Sequence, residues 1–278
     1  MIATTSRTVP GAAPAGHPVL PALLSRRYPA VMGVLNITPD SFSDGGQFIA
    51  PERALAQAKA MIAEGADIID IGAESTRPYG AKPVSADQEL KRLQPILADV
   101  VSLGVPVSID SMKSAVVAFA LDSGAVIAND VWGLQRDPAM APLVAARNVP
   151  IIVMHNRDSA DPAIDIMKDI AAFFSRSLEL ADRAGIAHGN IVLDPGIGFG
   201  KTPEQSMMAL ARLDELRSFG LPLLVGASRK RFIASVTPSE PRERLGGSIA
   251  AHLIAAKGGA QIIPVSYTHL TLPTNREV

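Results

Sequence analysis

The sequence contains no cysteine. Disulfides, thiolate nucleophiles and cysteine-ligated metals are therefore excluded, and the composition fits a reducing compartment. Charge of neither sign is in excess, with 26 Lys and Arg against 27 Asp and Glu. That balance argues against nucleic acid or an anionic membrane as a partner. No apolar run approaches the length of a membrane span, and the N-terminus has no uninterrupted apolar core of the signal-peptide kind. The expected location is the cytoplasm. There is also no HExxH, no three-histidine cluster and no Ser-His-Asp spacing, which argues against tight zinc and acyl-enzyme chemistry.

What the chain does have is length and a recurring mark. Its 278 residues, 47% of them apolar, suit one barrel domain of about 250 residues. Helix-like apolar patterns end repeatedly at a residue that tolerates left-handed backbone: Gly65, Gly104, Gly124, Asn148, Gly185, Gly220 and Gly259. After each comes a short apolar run of the kind that forms a buried parallel strand. Leu90, Leu93, Leu97 and Val100 share one face of a helix expected over 87–101, and a second helix is expected over 165–184. With the run 30–35, the seven marks predict eight strands separated by helices. This predicts an α/β fold, a closed (β/α)8 TIM barrel, because no GxGxxG opens the first unit as an open dinucleotide-binding sheet would require. Residues 1–28, rich in Ala, Pro, Ser and Thr, read as a disordered leader. The barrel is expected over 29–265.

Barrel enzymes carry their chemistry on the loops that follow the strands. The strand ends here are polar almost throughout: Asn36, then Glu74-Ser75-Thr76-Arg77, Asp110, Asn129-Asp130, His155, Asp194 and Ser228-Arg229-Lys230. Singly, Asp110 or Asn129 would read as a helix cap and His155 as a structural histidine. Together they read as an active site. Gly200-Lys201-Thr202 imitates the end of a P-loop, but the glycine that motif needs five residues before Gly200 is Pro195. Asp110, Asn129, Asp194 and Lys230 offer donors and acceptors suited to the edge of a flat, nitrogen-rich heterocycle. Asn36, Ser75, Thr76 and Arg77 suit a phosphorylated end with Mg²⁺.

Two long segments then carry a family resemblance. Residues 33–46, Gly-Val-Leu-Asn-Ile-Thr-Pro-Asp-Ser-Phe-Ser-Asp-Gly-Gly, and 70–78, Asp-Ile-Gly-Ala-Glu-Ser-Thr-Arg-Pro, resemble the two signatures of the dihydropteroate synthases. Ser108-Ile109-Asp110, Asn129-Asp130, the run 194–201 and Ser228-Arg229-Lys230 follow in the family's order. The resemblance implies a folate-synthesis transferase that joins p-aminobenzoate to 6-hydroxymethyl-7,8-dihydropterin diphosphate, releasing diphosphate. It implies that Asn36 ligates Mg²⁺ and that Thr76 contacts the pterin substrate near its diphosphate. Asp110, Asn129, Asp194 and Lys230 would hold the pterin, Asp194 and Lys230 serving catalysis, and Arg77 and Ser228 would form the p-aminobenzoate site where sulfonamides compete. The substrates implied are small molecules, and the family assembles as homodimers.

The family's eighth strand ends in Arg-x-His, which binds diphosphate. Here those positions are Pro264 and Ser266. The segment 266–278 contains Pro273 and no amphipathic period, so it reads as an unstructured, non-native tail in place of the eighth helix. The missing motif also leaves open a pterin-binding protein without catalysis, and the missing last helix, through which the family dimerises, puts the homodimer in doubt. A corrinoid-dependent methyltransferase shares the barrel, but Ser228-Arg229-Lys230 and the long first-loop motif argue against it.

Overall fold

In the computed structural model, all seven helix-ending residues adopt positive φ: Gly65, Gly104, Gly124, Gly185, Gly220 and Gly259 between 67° and 105°, and Asn148 at 48°. The structure describes residues 16–37, 49–74 and 83–266. Each left-handed residue turns the chain out of a helix toward the next strand, after Gly185 by way of a 3-10 turn at His188–Asn190, and the strands are β1 (Ala30–Asn36), β2 (Ile68–Gly72), β3 (Val107–Asp110), β4 (Ile127–Asp130), β5 (Ile151–Met154), β6 (Ile191–Asp194), β7 (Leu223–Leu224) and β8 (Ala260–Val265). They form a closed barrel of parallel neighbours, with Ala30 of β1 opposite Ile262 of β8. The (β/α)8 architecture expected from the punctuation is the one observed.

The outer layer comprises α2 (Ile49–Ala63), α3 (Ala86–Leu93), α4 (Leu97–Val101), α5 (Ser114–Asp122), α6 (Met140–Arg147), α7 (Ile166–Ala184), α8 (Pro203–Ala211), α9 (Arg231–Val236) and α10 (Leu245–Lys257). The helix expected over 87–101 is two helices, because Pro95 cannot continue the first. The one expected over 165–184 forms as α7, with Asp165 accepting backbone N–H bonds from Met167 and Lys168. Strand side chains facing outward pack with these helices into the main apolar layer, including Leu35, Ile71, Ile109, Val153 and Leu193.

The N-terminal reading needs correction over 16–28. Val19–Leu24 is a helix, α1, with Leu20 and Leu23 buried at 1% and 4% exposure. These two leucines join Ala30, Met32, Ile68, Ile127, Ile152, Val192, Leu224 and Ile262 in a second apolar cluster. Apart from Leu224, the second residue of the two-residue β7, the strand residues in it lie in the N-terminal halves of their strands, so α1 closes the barrel from below. Burying each leucine is worth about 1.5–3 kcal/mol. The His17 backbone N–H also donates to Asn190 Oδ1 at 2.6 Å, tying the segment to the start of β6. Its Ala- and Pro-rich flank disguised this short helix in the sequence. Residues 1–15, and 267–278 of the expected tail, lie outside the described residues. Among the described residues no helix is long and apolar enough to cross a membrane.

Candidate active site

Strand register sets the site. Asn36 pairs with Gly72, Gly72 with Asp110, and Asp110 with Asn129, so these four residues stand at one level across β1 to β4. Gly72 is small because of that level: a Cβ there would stand 3.3 Å from both Cβ and Oδ2 of Asp110. Neither Asp110 nor Asn129 caps the helix after it, since α5 starts behind Lys113 and α6 behind Ala139. Asp130 instead holds the turn that follows β4, accepting the N–H groups of Trp132 and Leu134 at 2.9 and 2.7 Å.

Two residues below Gly72, Asp70 reaches across to Asn129. The Asn129 amide donates to Asp70 Oδ1 and Oδ2 at 3.3 and 3.2 Å. Burial pushes Asp70 up to about 6, with Ser108 and Asn129 hydrogen bonds holding it back. Asp110 is raised well above the carboxylate range by burial, then by the charge of Asp70. Its Oδ1 is shut off from solvent with no partner among the described residues. An orphaned carboxylate oxygen in such a place costs about 1–3 kcal/mol until a donor arrives. It is a ready acceptor for a ring N–H.

Across the mouth, Asp194 ends β6 and accepts the Gly196 N–H on Oδ1 at 2.8 Å. Burial raises it to about 6, against the pull of the Lys230 and Lys201 charges. Lys230 follows β7 and lies over the Phe199 ring, Nζ 4.0 Å from its centroid. Burial lowers Lys230 to about 8, opposed by the carboxylates of Asp194 and Asp110. Those mutual influences reflect the proximity of side chains from β3, β6 and the β7 loop. Ser228 is buried beside it, where its Oγ accepts the Ser266 N–H at 3.1 Å. That bond anchors the end of β8, which carries Pro264 and Ser266 and so has neither Arg nor His at those positions.

Asn36, Asp110, Asn129, Asp194, Ser228 and Lys230 thus ring the C-terminal mouth. Thr76 and Arg77, with Ser75, lie outside the described residues. The sequence reading did not assign Asp70, which motif order had placed in view, or Glu74. Glu74 Oε1 accepts the Val84 N–H at 3.1 Å and its Oε2 pairs with Lys113, so it ties together both ends of the segment 75–83. His155, grouped by the sequence with the polar strand ends of the active site, is instead held as a structural histidine, fully buried and 3.0 Å from Asp169.

Residues 32–266 match the family model described as pterin binding enzyme. A dihydropteroate synthase of Bacillus subtilis is 44% identical over 245 residues, covering 88% of this chain and 85% of that protein. The structure resembles that of a Clostridium difficile dihydropteroate synthase solved in the presence of pteroic acid, with a TM-score of 0.83, 44% identity and coverage of 86% and 91% of the two chains. It also resembles the Xanthomonas albilineans dihydropteroate synthase with 4-aminobenzoic acid, with a TM-score of 0.82, 41% identity and coverage of 86% and 88%.

Proposed function

Because this chain belongs to the pterin-binding enzyme family, we infer that it carries dihydropteroate synthase activity. It joins p-aminobenzoate to 6-hydroxymethyl-7,8-dihydropterin diphosphate, giving 7,8-dihydropteroate and diphosphate. The observation that carries this reading is the convergence of Asp110, Asn129, Asp194 and Lys230 on one mouth, with Asp110 Oδ1 buried and without a partner among the described residues.

In this reading the pterin edge meets the two acidic walls. Ring N–H groups donate to Asp110 and Asp194, Asn129 adds an amide contact, and Lys230 donates to a ring acceptor. The arylamine nitrogen then bonds to the pterin methylene carbon as the carbon–oxygen bond to diphosphate breaks. Diphosphate leaves with that electron pair, and the amine loses one proton. Positive charge grows on the methylene and ring during the break, and the Asp194 carboxylate, fixed by Gly196, favours it without reorganising. Holding both reactants in one mouth removes much of the entropy barrier. No protein nucleophile is required. Arg77 and Ser228 are assigned to the p-aminobenzoate end and Thr76 to the neighbourhood of the diphosphate.

Magnesium is the expected cofactor. Among the described residues no group of three or more acidic or histidine side chains could cage a metal. Asn36, half-buried at the top of β1, offers a single amide oxygen. That donor suits Mg²⁺, which keeps water and phosphate oxygens as its other ligands. Bound with the diphosphate it would neutralise charge on the leaving group.

The test is Mg²⁺-dependent formation of dihydropteroate from the pterin diphosphate and labelled p-aminobenzoate, with diphosphate counted in parallel. Equal yields of the two products are expected. Tight pterin binding without release of diphosphate would instead mark a binding protein.

A further inference from the structure

Lys201 lies directly behind the mouth and is 5% exposed. Its ammonium has three acceptors: His155 Nδ1 at 2.6 Å, Gly196 O at 2.9 Å and Phe199 O at 3.1 Å. An ammonium carries three donors, so this set saturates it. Because Lys201 donates to Nδ1, the His155 proton sits on Nε2 and is given to Asp169. Burial and the Lys201 charge keep that imidazole neutral, its pKa lowered to about 3.

The two carbonyls are not arbitrary. Gly196 is the residue whose N–H fixes Asp194 Oδ1. Phe199 is the residue whose ring lies under Lys230 Nζ. The loop between them can take this course only with glycine. A Cβ on Gly196 would fall 2.0 Å from the His155 carbonyl oxygen, and one on Gly200 would fall 2.4 Å from Arg157 Cβ. Both also have positive φ, at 63° and 54°. The loop after β6 is pressed onto the loop after β5, and Lys201 is the hydrogen-bonding hub at the seam. Removing its ammonium leaves the buried His155 Nδ1 and the part-buried Phe199 carbonyl without a donor and leaves Gly196 O with only the Phe199 N–H, and each orphaned atom costs about 1–3 kcal/mol. A flexible, glycine-rich loop relieves that by moving, and Asp194 and Phe199 move with it.

We propose that Lys201 is a positioning residue, whose ammonium holds the 196–200 loop in the shape that aims Asp194 and supports Lys230. The proposal rests on the pterin assignment above. It says that Lys201 acts on substrate only through its neighbours.

Lys201→Met and Lys201→Gln test it, with pterin affinity measured calorimetrically, using a pterin that carries no diphosphate, and with turnover measured separately. Both variants should keep the circular dichroism of the barrel. Pterin affinity should fall at least tenfold in Lys201→Met and less in Lys201→Gln, whose amide retains two donors. The absence of native cysteine allows a rescue. Lys201→Cys, alkylated with 2-bromoethylamine in denaturant and refolded, restores an ammonium on an almost equal stem. Rescue should recover pterin affinity to within threefold of refolded wild type. The proposal fails if Lys201→Met binds pterin within twofold of wild type. It also fails if aminoethylation restores thermal stability without restoring affinity. A wild-type chain that binds no pterin would overturn the functional reading instead, whatever the variants do.

Discussion

The Asn129 side-chain amide spans both carboxylate oxygens of Asp70, at 3.3 and 3.2 Å. That contact decides which way Asn129 is turned. With its NH2 group committed to Asp70, its carbonyl oxygen is the atom left for a ligand. Asp70→Asn removes the commitment and lets the amide flip. Pterin affinity should fall about tenfold, the worth of one hydrogen bond to a charged group. The KM for p-aminobenzoate should stay unchanged. Calorimetry and steady-state kinetics check the two halves, and a weakened p-aminobenzoate KM with intact pterin binding would contradict the assignment.

Activity should have a bell-shaped pH profile. Asp194 is raised to about 6, so its negative charge is present only above that value. Lys230 is lowered to about 8, so its positive charge is present only below that value. Both charges coexist between the two, and kcat/KM should fall about tenfold per pH unit well outside each limb. Lys230→Arg should remove this group's contribution to the alkaline limb, because a guanidinium does not titrate there, and leave the loss set by Lys201, which burial lowers to about 7. A flat profile from pH 5 to 9 would refute the pairing.

The end of β8 carries Pro264 and Ser266 where the resemblance leads one to expect Arg and His. Pro264→Arg combined with Ser266→His should raise kcat/KM for the pterin diphosphate by about ten- to hundredfold, the scale of one or two charge-assisted hydrogen bonds. The same pair should leave affinity for a pterin without diphosphate unaltered. The Ser266 N–H bond to Ser228 uses backbone and survives the change.

Leu20→Ala should open a cavity beneath the barrel and cost about 2–5 kcal/mol of stability. Urea unfolding reads this as a lower midpoint. Turnover at 25 °C should be unaffected, because α1 is at the opposite end from Asp194 and Lys230.

The barrel was legible because its punctuation is chemical: only residues tolerant of positive φ could end those helices, and each of the seven does so. The mouth was legible as a row of polar strand ends, and Asp110, Asn129, Asp194, Ser228 and Lys230 are brought together there. Lys201 was visible as an imitation P-loop and as the end of the run 194–201, with no role of its own. Its partners are two carbonyls and a distant histidine, and backbone acceptors leave no trace in a sequence. Asp70 went unassigned because its role is to orient Asn129, a relation set by strand register. The helix at Val19–Leu24 was lost for a different reason: six residues in a Pro-rich flank give too little periodicity to recognise.

The packed strand side chains inside the barrel, floored by Leu20 and Leu23, make it a cup and not a tube. Everything that reacts there must pass the same rim in both directions. The molecule that sits deepest has to arrive before its partner and, if unreacted, waits for that partner to depart. The apolar floor thus imposes a queue on the kinetics, although no residue in it comes near the chemistry.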